Sequence, residues 1–367
     1  MKEMKQYTIA EVCSRLSSGK GIPASKVTPT GPYPVIGGNG VRGYTDSFNF
    51  DGECAIIGRQ GANCGNVRYF EGKAYMTEHA IVAIANQNAN TKYLACLFSL
   101  MHLGNLSAQS AQPGLSVQTL SKQIVYLPEI SKQNQIANII KALDTKIEIN
   151  KQINDNLEQQ ASFLFQDWLS NCNSNVSIRE LAENVLDYTQ NKCEQVYLLN
   201  SSDVTEGRFS SLPLVSNTNL KGQFKKRFKK GDILYSEIRP RNRHYAYCYF
   251  DADRYIASTR LIILRAKPDM LTSSTVLYQY LMLNSVFEEF TLKTESRSGT
   301  FPQGNYEDLS SIRVPYSANQ EEIAKSLEAI YEQLWNNLKE NERLEALRDS
   351  LLPKLMSGEL KINNLDC

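Results

Sequence analysis

The sequence predicts an α+β fold in which two globular heads, rich in short strands, are joined by two long helices. These pair as an antiparallel coiled coil within a pseudo-two-fold internal repeat. Three observations carry this prediction. A four-three spacing runs through Ile136, Ile140, Leu143, Ile147, Asn150, Asn154, Leu157, Ala161, Leu164 and Trp168, and it lasts about five heptads, longer than the core face of one domain requires. Adding 187 to each number gives Ile323, Leu327, Ile330, Leu334, Asn337, Asn341, Leu344, Arg348, Leu351 and Leu355, and Pro128, Gln133 and Ala137 return as Pro315, Gln320 and Ala324. A repeat this regular has to be understood before any single motif. Ahead of each helix, glycine-punctuated apolar runs favour strands and tight turns. The expected order is a first head over 1–128, a first rod over 129–170, a second head over 171–315, a second rod over 316–360 and a tail over 361–367.

In the first head, Tyr7-Thr-Ile-Ala-Glu-Val12 reads as a short opening element. Glycines 37, 38, 40 and 43 punctuate Tyr33–Tyr44, Gly52–Gly58 reads as a buried strand, Ala80–Ala85 as another, and Tyr93–Leu103 has helical spacing. Phe70–Tyr75 looks like a hairpin connection with Gly72 near its tip. The loop Gly58-Arg-Gln-Gly-Ala-Asn-Cys-Gly65 lacks the Gly-Lys-Ser/Thr ending of a phosphate loop, so it is read as a turn exposing Arg59, Gln60 and Asn63. Arginine matches the edge of guanine, and asparagine or glutamine that of adenine. Asp51 with Glu71-Gly-Lys73 mimics a nuclease pattern, rejected because the fragment is common and is expected in a turn.

The first rod is expected from about Ser131 to Leu169, roughly 58 Å at 1.5 Å per residue. Asn150, Asn154, Asn337 and Asn341 fall on the seam, where a polar residue costs stability but penalises sliding and fixes register. In the second head, Val176–Leu181 echoes Thr8–Val12. Gly231–Tyr235 reads as a buried strand that delivers Arg239-Pro-Arg-Asn-Arg243 onto a loop, Tyr255–Leu264 as a further strand and Val276–Phe290 as a helix. Nine basic against two acidic residues crowd Lys221–Arg243 with aromatics between them, a pattern suited to phosphate. The second rod opens with Ser317-Ala-Asn-Gln320 as a capping box, Pro353 is expected to kink or interrupt its last turns, and Gly358 to stop it.

Net charge near zero hides an asymmetry. Residues 1–128 and 177–315 are net +4 and +3, whereas 131–169 and 318–359 are net −1 and −4. Basic heads and acidic rods suit a protein whose heads touch phosphate. Eight cysteines without a CxxC pair, and three histidines that never cluster with them, give no metal-ligand spacing and point to free thiols in a reducing cytoplasm. No run of about 18 apolar residues would span a membrane, and the first residues lack the apolar core of an export signal. The candidate DNA-contacting residues are Asn39, Arg42, Arg59, Gln60 and Asn63 in the first head and Lys225, Lys226, Arg227, Arg239, Arg241, Arg243 and Arg297 in the second.

Over essentially its whole length the chain resembles the specificity subunits of type I restriction-modification systems. The residues that carry the resemblance are Tyr33-Pro-Val-Ile-Gly-Gly-Asn-Gly40, Gly58–Val67, Leu127-Pro128 with Gln133-Asn-Gln-Ile-Ala137, Lys230–Pro240 and, most specifically, Leu347-Arg-Asp-Ser-Leu-Leu-Pro-Lys-Leu-Met-Ser-Gly-Glu-Leu360. The resemblance implies two target-recognition heads that each read half of a bipartite duplex site, with antiparallel rods setting the spacer. It also implies two partner modification subunits, which bind S-adenosylmethionine and methylate adenine, and restriction subunits, the ATP-dependent translocase and nuclease. The chain itself needs no cofactor on this reading; S-adenosylmethionine, ATP and magnesium belong to its partners. One departure stands out: the family often has Glu-Gln after Leu-Pro, where this chain has Lys132-Gln133 and Asn319-Gln320. The alternatives are a stand-alone site-specific DNA-binding protein or a methylation-only complex. An enzyme is disfavoured because no Asn/Asp-Pro-Pro-Tyr/Phe element, cofactor loop or carboxylate cluster is present, and a pure coiled-coil scaffold would not need two basic heads.

Overall fold

The computed structural model describes residues 4–107, 114–218, 220–271, 273–296 and 302–360. It divides into two compact units, one of residues up to Ile149 with those from Glu340 onward, the other Asn150–Lys339. Each unit therefore combines a head with a stretch of both long helices. None of the helices of the described residues is long and apolar enough to cross a membrane.

In the first unit, β1 (Lys5–Thr8) pairs with β8 (Ile124–Leu127), closing the head at its two ends. Between them, α1 (Ile9–Val12) starts in a capping box formed by Thr8 and Glu11. A six-stranded sheet follows, built from β2 (Cys13–Ser18), β3 (Tyr33–Gly37), β4 (Gly40–Thr45), β5 (Phe50–Gly58), β6 (Val67–Met76) and β7 (Ala80–Ala85) in the order β2-β7-β5-β6-β3-β4. The expected hairpin tip at Gly72 is wrong. Residues 67–76 form one strand, and Gly72 lies opposite Gly52 in the middle of the β5–β6 ladder. Both glycines have φ near +130° (126° and 131°), a conformation closed to other residues that bends the hairpin. Phe50 and Ala74 at one end of the ladder thereby share a core with Ile56 near the other, together with Met76 and Val82. The nuclease pattern also dissolves, though not because it sits in a turn: Asp51 faces Lys73 at 3.9 Å and Glu71 accepts from Lys141 at 2.7 Å. Among the described residues no three potential metal ligands gather.

The second unit repeats this frame. Ser174–Ser177 pairs with Arg313–Tyr316, and the helix Ile178–Leu181 opens with a Ser177–Glu180 capping box. Two four-stranded sheets follow. The strand expected over Tyr255–Leu264 is two, Tyr255–Ser258 and Leu261–Ala266, and the helix expected over Val276–Phe290 is also two, Ser274–Met282 and Asn284–Glu295, broken at Leu283.

The first long helix, Ile130–Ser170, contains neither glycine nor proline; the second runs Glu321–Ser357. They are antiparallel in both units. In the first, Lys146 meets Glu340 at 3.2 Å and Asn341 donates to the Ile147 carbonyl at 3.2 Å. In the second, Asn337 donates to Asn154 Oδ1 at 2.8 Å, Asn154 donates to the Leu334 carbonyl, and Trp168 to that of Asn319. The four seam asparagines are buried, and these bonds tie Asn154, Asn337 and Asn341 across the helix pair, as register pins require. The apolar stripe also enters the heads: Ile136, Ala137, Ile140, Leu355 and Met356 pack with Ile9, Tyr93 and Phe98, while Ala161, Phe165, Ile323, Leu327 and Tyr331 pack with Ile178, Tyr280 and Phe290. Pro353 does not interrupt the helix, which continues to Ser357 and stops at Gly358 with φ +76°. The proline removes one bond close to the helix end, and burial of Leu355 and Met356 holds the last turn.

Gln133 and Gln320 explain the Pro-x4-Gln repeat. Gln133 donates to the carbonyls of Pro128 and Asn88 and accepts from the Asn90 N–H; Gln320 donates to those of Ser317 and Met270. Each buried amide seals a helix start to its own head without the missing acid. At Ser317–Gln320, where a capping box is expected, the Ser317 hydroxyl accepts from the Asn319 N–H at 3.2 Å and the helix begins at Glu321. Gln133→Leu takes the side-chain partner from three backbone groups and should cost the chain about 1–3 kcal/mol; a denaturation midpoint within error of wild type would contradict this.

The repeat keeps positions while changing chemistry. Lys92 makes a salt bridge to Asp144, which also takes Arg348 at 3.1 Å; the residues 187 further on, Gln279 and Tyr331, make a neutral hydrogen bond of 2.9 Å. The seven described cysteines are unpaired, and burial pushes Cys13, Cys54 and Cys248 up to about 12, so they are protonated thiols.

Candidate nucleic-acid interface

Both heads are built on one four-stranded core. In the first the order is β2-β7-β5-β6; in the second it is Ala182–Asn184, Leu261–Ala266, Ile233–Ser236, Tyr245–Tyr247, every neighbour antiparallel in each. The central hairpin ends in loop 59–66 in one head and loop 237–244 in the other. These loops are held alike. The Arg59 N–H donates to the His79 carbonyl and that of Glu237 to the Arg260 carbonyl, each at 3.0 Å; the Leu115 N–H donates to the Arg59 carbonyl and that of Gly304 to the Glu237 carbonyl, each at 2.8 Å. Isolated bridges Gln60–Gly114 and Ile238–Gln303 complete the match. The two loops singled out from sequence are thus the same structural element.

In the first head the loop turns through a short 3-10 segment, Gly61–Asn63, and no helix follows, so it is not a phosphate loop. Gly65 (φ +81°) is indispensable: a Cβ there would lie 2.0 Å from the Gly104 nitrogen. Gln60 Oε1 sits 3.0 Å from His79 Nδ1, whose other ring nitrogen is 3.3 Å from the Glu78 carboxylate. Among the described residues the Arg59 guanidinium makes only long bonds, 3.4 and 3.5 Å, to Ser18 and the Glu78 carbonyl, while Asn63 accepts from Asn66. The turn between β3 and β4 joins this surface. A Cβ on Gly38 would be 2.8 Å from the His79 carbonyl and 3.2 Å from Gly58 Cα, and Arg68 donates to the Asn39 carbonyl at 2.7 Å. Exposed Arg42 extends beside Gly37. The structure therefore gathers Asn39, Arg42, Arg59, Gln60 and Asn63, and adds Arg68 and His79, which sequence reading missed because one lies within a strand and the other in an unremarked turn.

The second head is less uniform. Arg239 and Arg243, both left-handed (φ 47° and 51°), flank a 3-10 turn over Pro240–Asn242. Arg239 is exposed. Arg241 is clamped by both oxygens of Glu295 at 2.6 and 2.8 Å, which holds that carboxyl below its ordinary range. Arg243 lies 4.3 Å over the Phe287 ring and donates to Asn284.

Two expected contacts are corrected. Lys226 is buried and donates to the Leu261 carbonyl at 2.7 Å, its pKa lowered by burial. Arg227 turns inward, one terminal nitrogen on the Asp253 carbonyl at 3.0 Å and the other buried without a partner among the described residues. Alternation along the short strand Phe224–Lys226 sends one lysine in and leaves Lys225 exposed, which charge counting cannot see. Arg297 lies outside the described residues.

Two copies of one strand-and-loop scaffold, carrying unlike side chains and each followed by a long helix, define the class: an internally duplicated recognition protein. The chain belongs to the family of the type I restriction modification DNA specificity domain, whose family model matches residues 1–159 and 194–346. It is 37% identical over 147 residues to the type I restriction enzyme EcoprrI specificity subunit of Escherichia coli (39% of this chain, 36% of the relative). To the HindI specificity subunit of Haemophilus influenzae it is 33% identical over 163 residues (44% and 35%). The matched stretches span just over a third of these relatives' length. The S subunit of a type I restriction-modification system from M. genitalium shares the fold, with a TM-score of 0.67 over 96% of both chains at 17% identity.

Proposed function

We propose that this chain is the non-catalytic, DNA-reading subunit of a type I restriction-modification enzyme, each head recognising one half of a bipartite duplex target. The observation that carries the reading is the pair of equivalent hairpin loops, pinned by the same main-chain bonds yet presenting Arg59, Gln60 and His79 in one head and Glu237, Ile238 and Arg260 in the other. A constant scaffold with variable side chains is what reading two unlike half-sites requires. Family membership and the basic heads support the same reading. On this proposal the paired helices set the gap between half-sites, and modification subunits holding S-adenosylmethionine dock on the chain, joined by ATP-dependent restriction subunits in the cytoplasm.

Selection of random duplexes by the full-length chain should enrich two short fixed blocks separated by a constant gap. Matched seven-residue insertions after Ile149 and after Lys339 should change that gap while leaving both blocks intact. A single block, no enrichment, or a gap indifferent to the insertions would overturn the reading.

A further inference from the structure

The second head contains a basic residue that the charge pattern does not mark. Arg260 lies outside the Lys221–Arg243 run, in the turn between Tyr255–Ser258 and Leu261–Ala266. Its backbone is fixed on both sides: its N–H donates to Ser258 Oγ at 3.3 Å, and its carbonyl accepts from the Glu237 N–H at 3.0 Å. That second bond is the counterpart of the one His79 makes with Arg59 in the first head, so Arg260 occupies the His79 position beside the hairpin loop.

Two of the loop's own three arginines are held by neighbouring side chains. Arg241 donates two hydrogen bonds to Glu295, and Arg243 is held by Asn284 and the Phe287 ring. Releasing either to a base would leave an acid or a ring face behind. Arg260 is exposed, and its guanidinium donates to no group among the described residues. Glu237, whose N–H meets the Arg260 carbonyl, takes a side-chain hydrogen bond from Gln303, and its carboxyl is pushed up by burial, with Lys226 and Arg260 opposing. The position matching Gln60 is Ile238, which has no polar group to offer a base edge.

We propose that Arg260 is the principal base-reading side chain of the second head, taking a guanine through the O6 and N7 acceptors of its major-groove edge, while Arg241 and Arg243 shape the loop that admits it. This rests on the DNA-specificity reading above. A planar guanidinium supplies two parallel donors at the spacing those acceptors demand, and such a pair discriminates against the wrong base by about 1–3 kcal/mol, roughly 5- to 150-fold.

The experiment compares duplex pools enriched by the full-length wild-type chain, Arg260→Ala, Arg260→Lys and His79→Ala, with melting curves for each. Arg260→Ala should melt as wild type does and lose at least about fivefold of its preference for guanine at one position of one block, the other block unchanged. Arg260→Lys, which keeps the charge and lacks the fork, should lose the same preference, and His79→Ala should alter only the other block. Arg260→Ala overturns the proposal if both blocks survive, whether binding weakens evenly, as for a phosphate contact, or stays unchanged. If the wild-type chain enriches no two-block site, the underlying reading fails instead.

Discussion

Replacing Arg265 with alanine is expected to destabilise the second unit by about 3–5 kcal/mol, the range for breaking a buried ion pair from one side. The Asp232 carboxylate is wholly buried, accepts from Arg265 at 2.7 and 2.8 Å, and caps the turn before its strand by accepting from the Lys229 N–H at 2.8 Å. Without the guanidinium, a buried charge keeps only neutral donors. Asp232→Ala/Arg265→Ala should recover part of the loss, since it removes the stranded charge along with the pair. Chemical denaturation reads both variants; a single variant within about 1 kcal/mol of wild type would show that water already reaches this pair. Because Ile233 and Leu264 of the same two strands belong to the central core, the loss should carry into the hairpin that ends in loop 237–244.

A second large effect is expected from Arg42→Gln/Arg59→Gln/Arg68→Gln. If these three guanidiniums each neutralise a phosphate, their loss should lower the slope of log affinity against log salt by about 2.7, at about 0.9 per contact. At physiological ionic strength, DNA affinity should fall by at least about tenfold. Arg68 also braces the Asn39 carbonyl, so the single variant Arg68→Gln, with its melting curve, separates a disordered turn from a lost charge. A salt slope equal to that of wild type would remove this surface from the DNA interface.

Several elements differ from their sequence reading for one reason: the deciding contact is remote. Glycine marks turns often enough that Gly72 reads as a hairpin tip, and only its partner Gly52, twenty residues earlier, makes it a mid-strand bend. Lys226 counts as surface charge until the strand Leu261–Ala266 supplies a carbonyl to its ammonium. Arg241 reads as free until the helix Asn284–Glu295 brings Glu295 to it. Gln320 reads as local to its helix until the Met270 carbonyl, fifty residues earlier, accepts a hydrogen bond from its amide N–H.

What the sequence by itself determined is the duplicated order of head and helix, the seam asparagines and the two polar hairpin loops. Heptad periodicity, an internal offset and glycine-bounded strands are local or self-referential signals, visible without coordinates. Only the tertiary structure decided that the two loops are one element, that Gln133 and Gln320 seal helix to head, and which basic residues of the second head face outward. Those depend on which strand lies beside which, and a charge in sequence acquires its meaning only from the neighbour that the fold places against it.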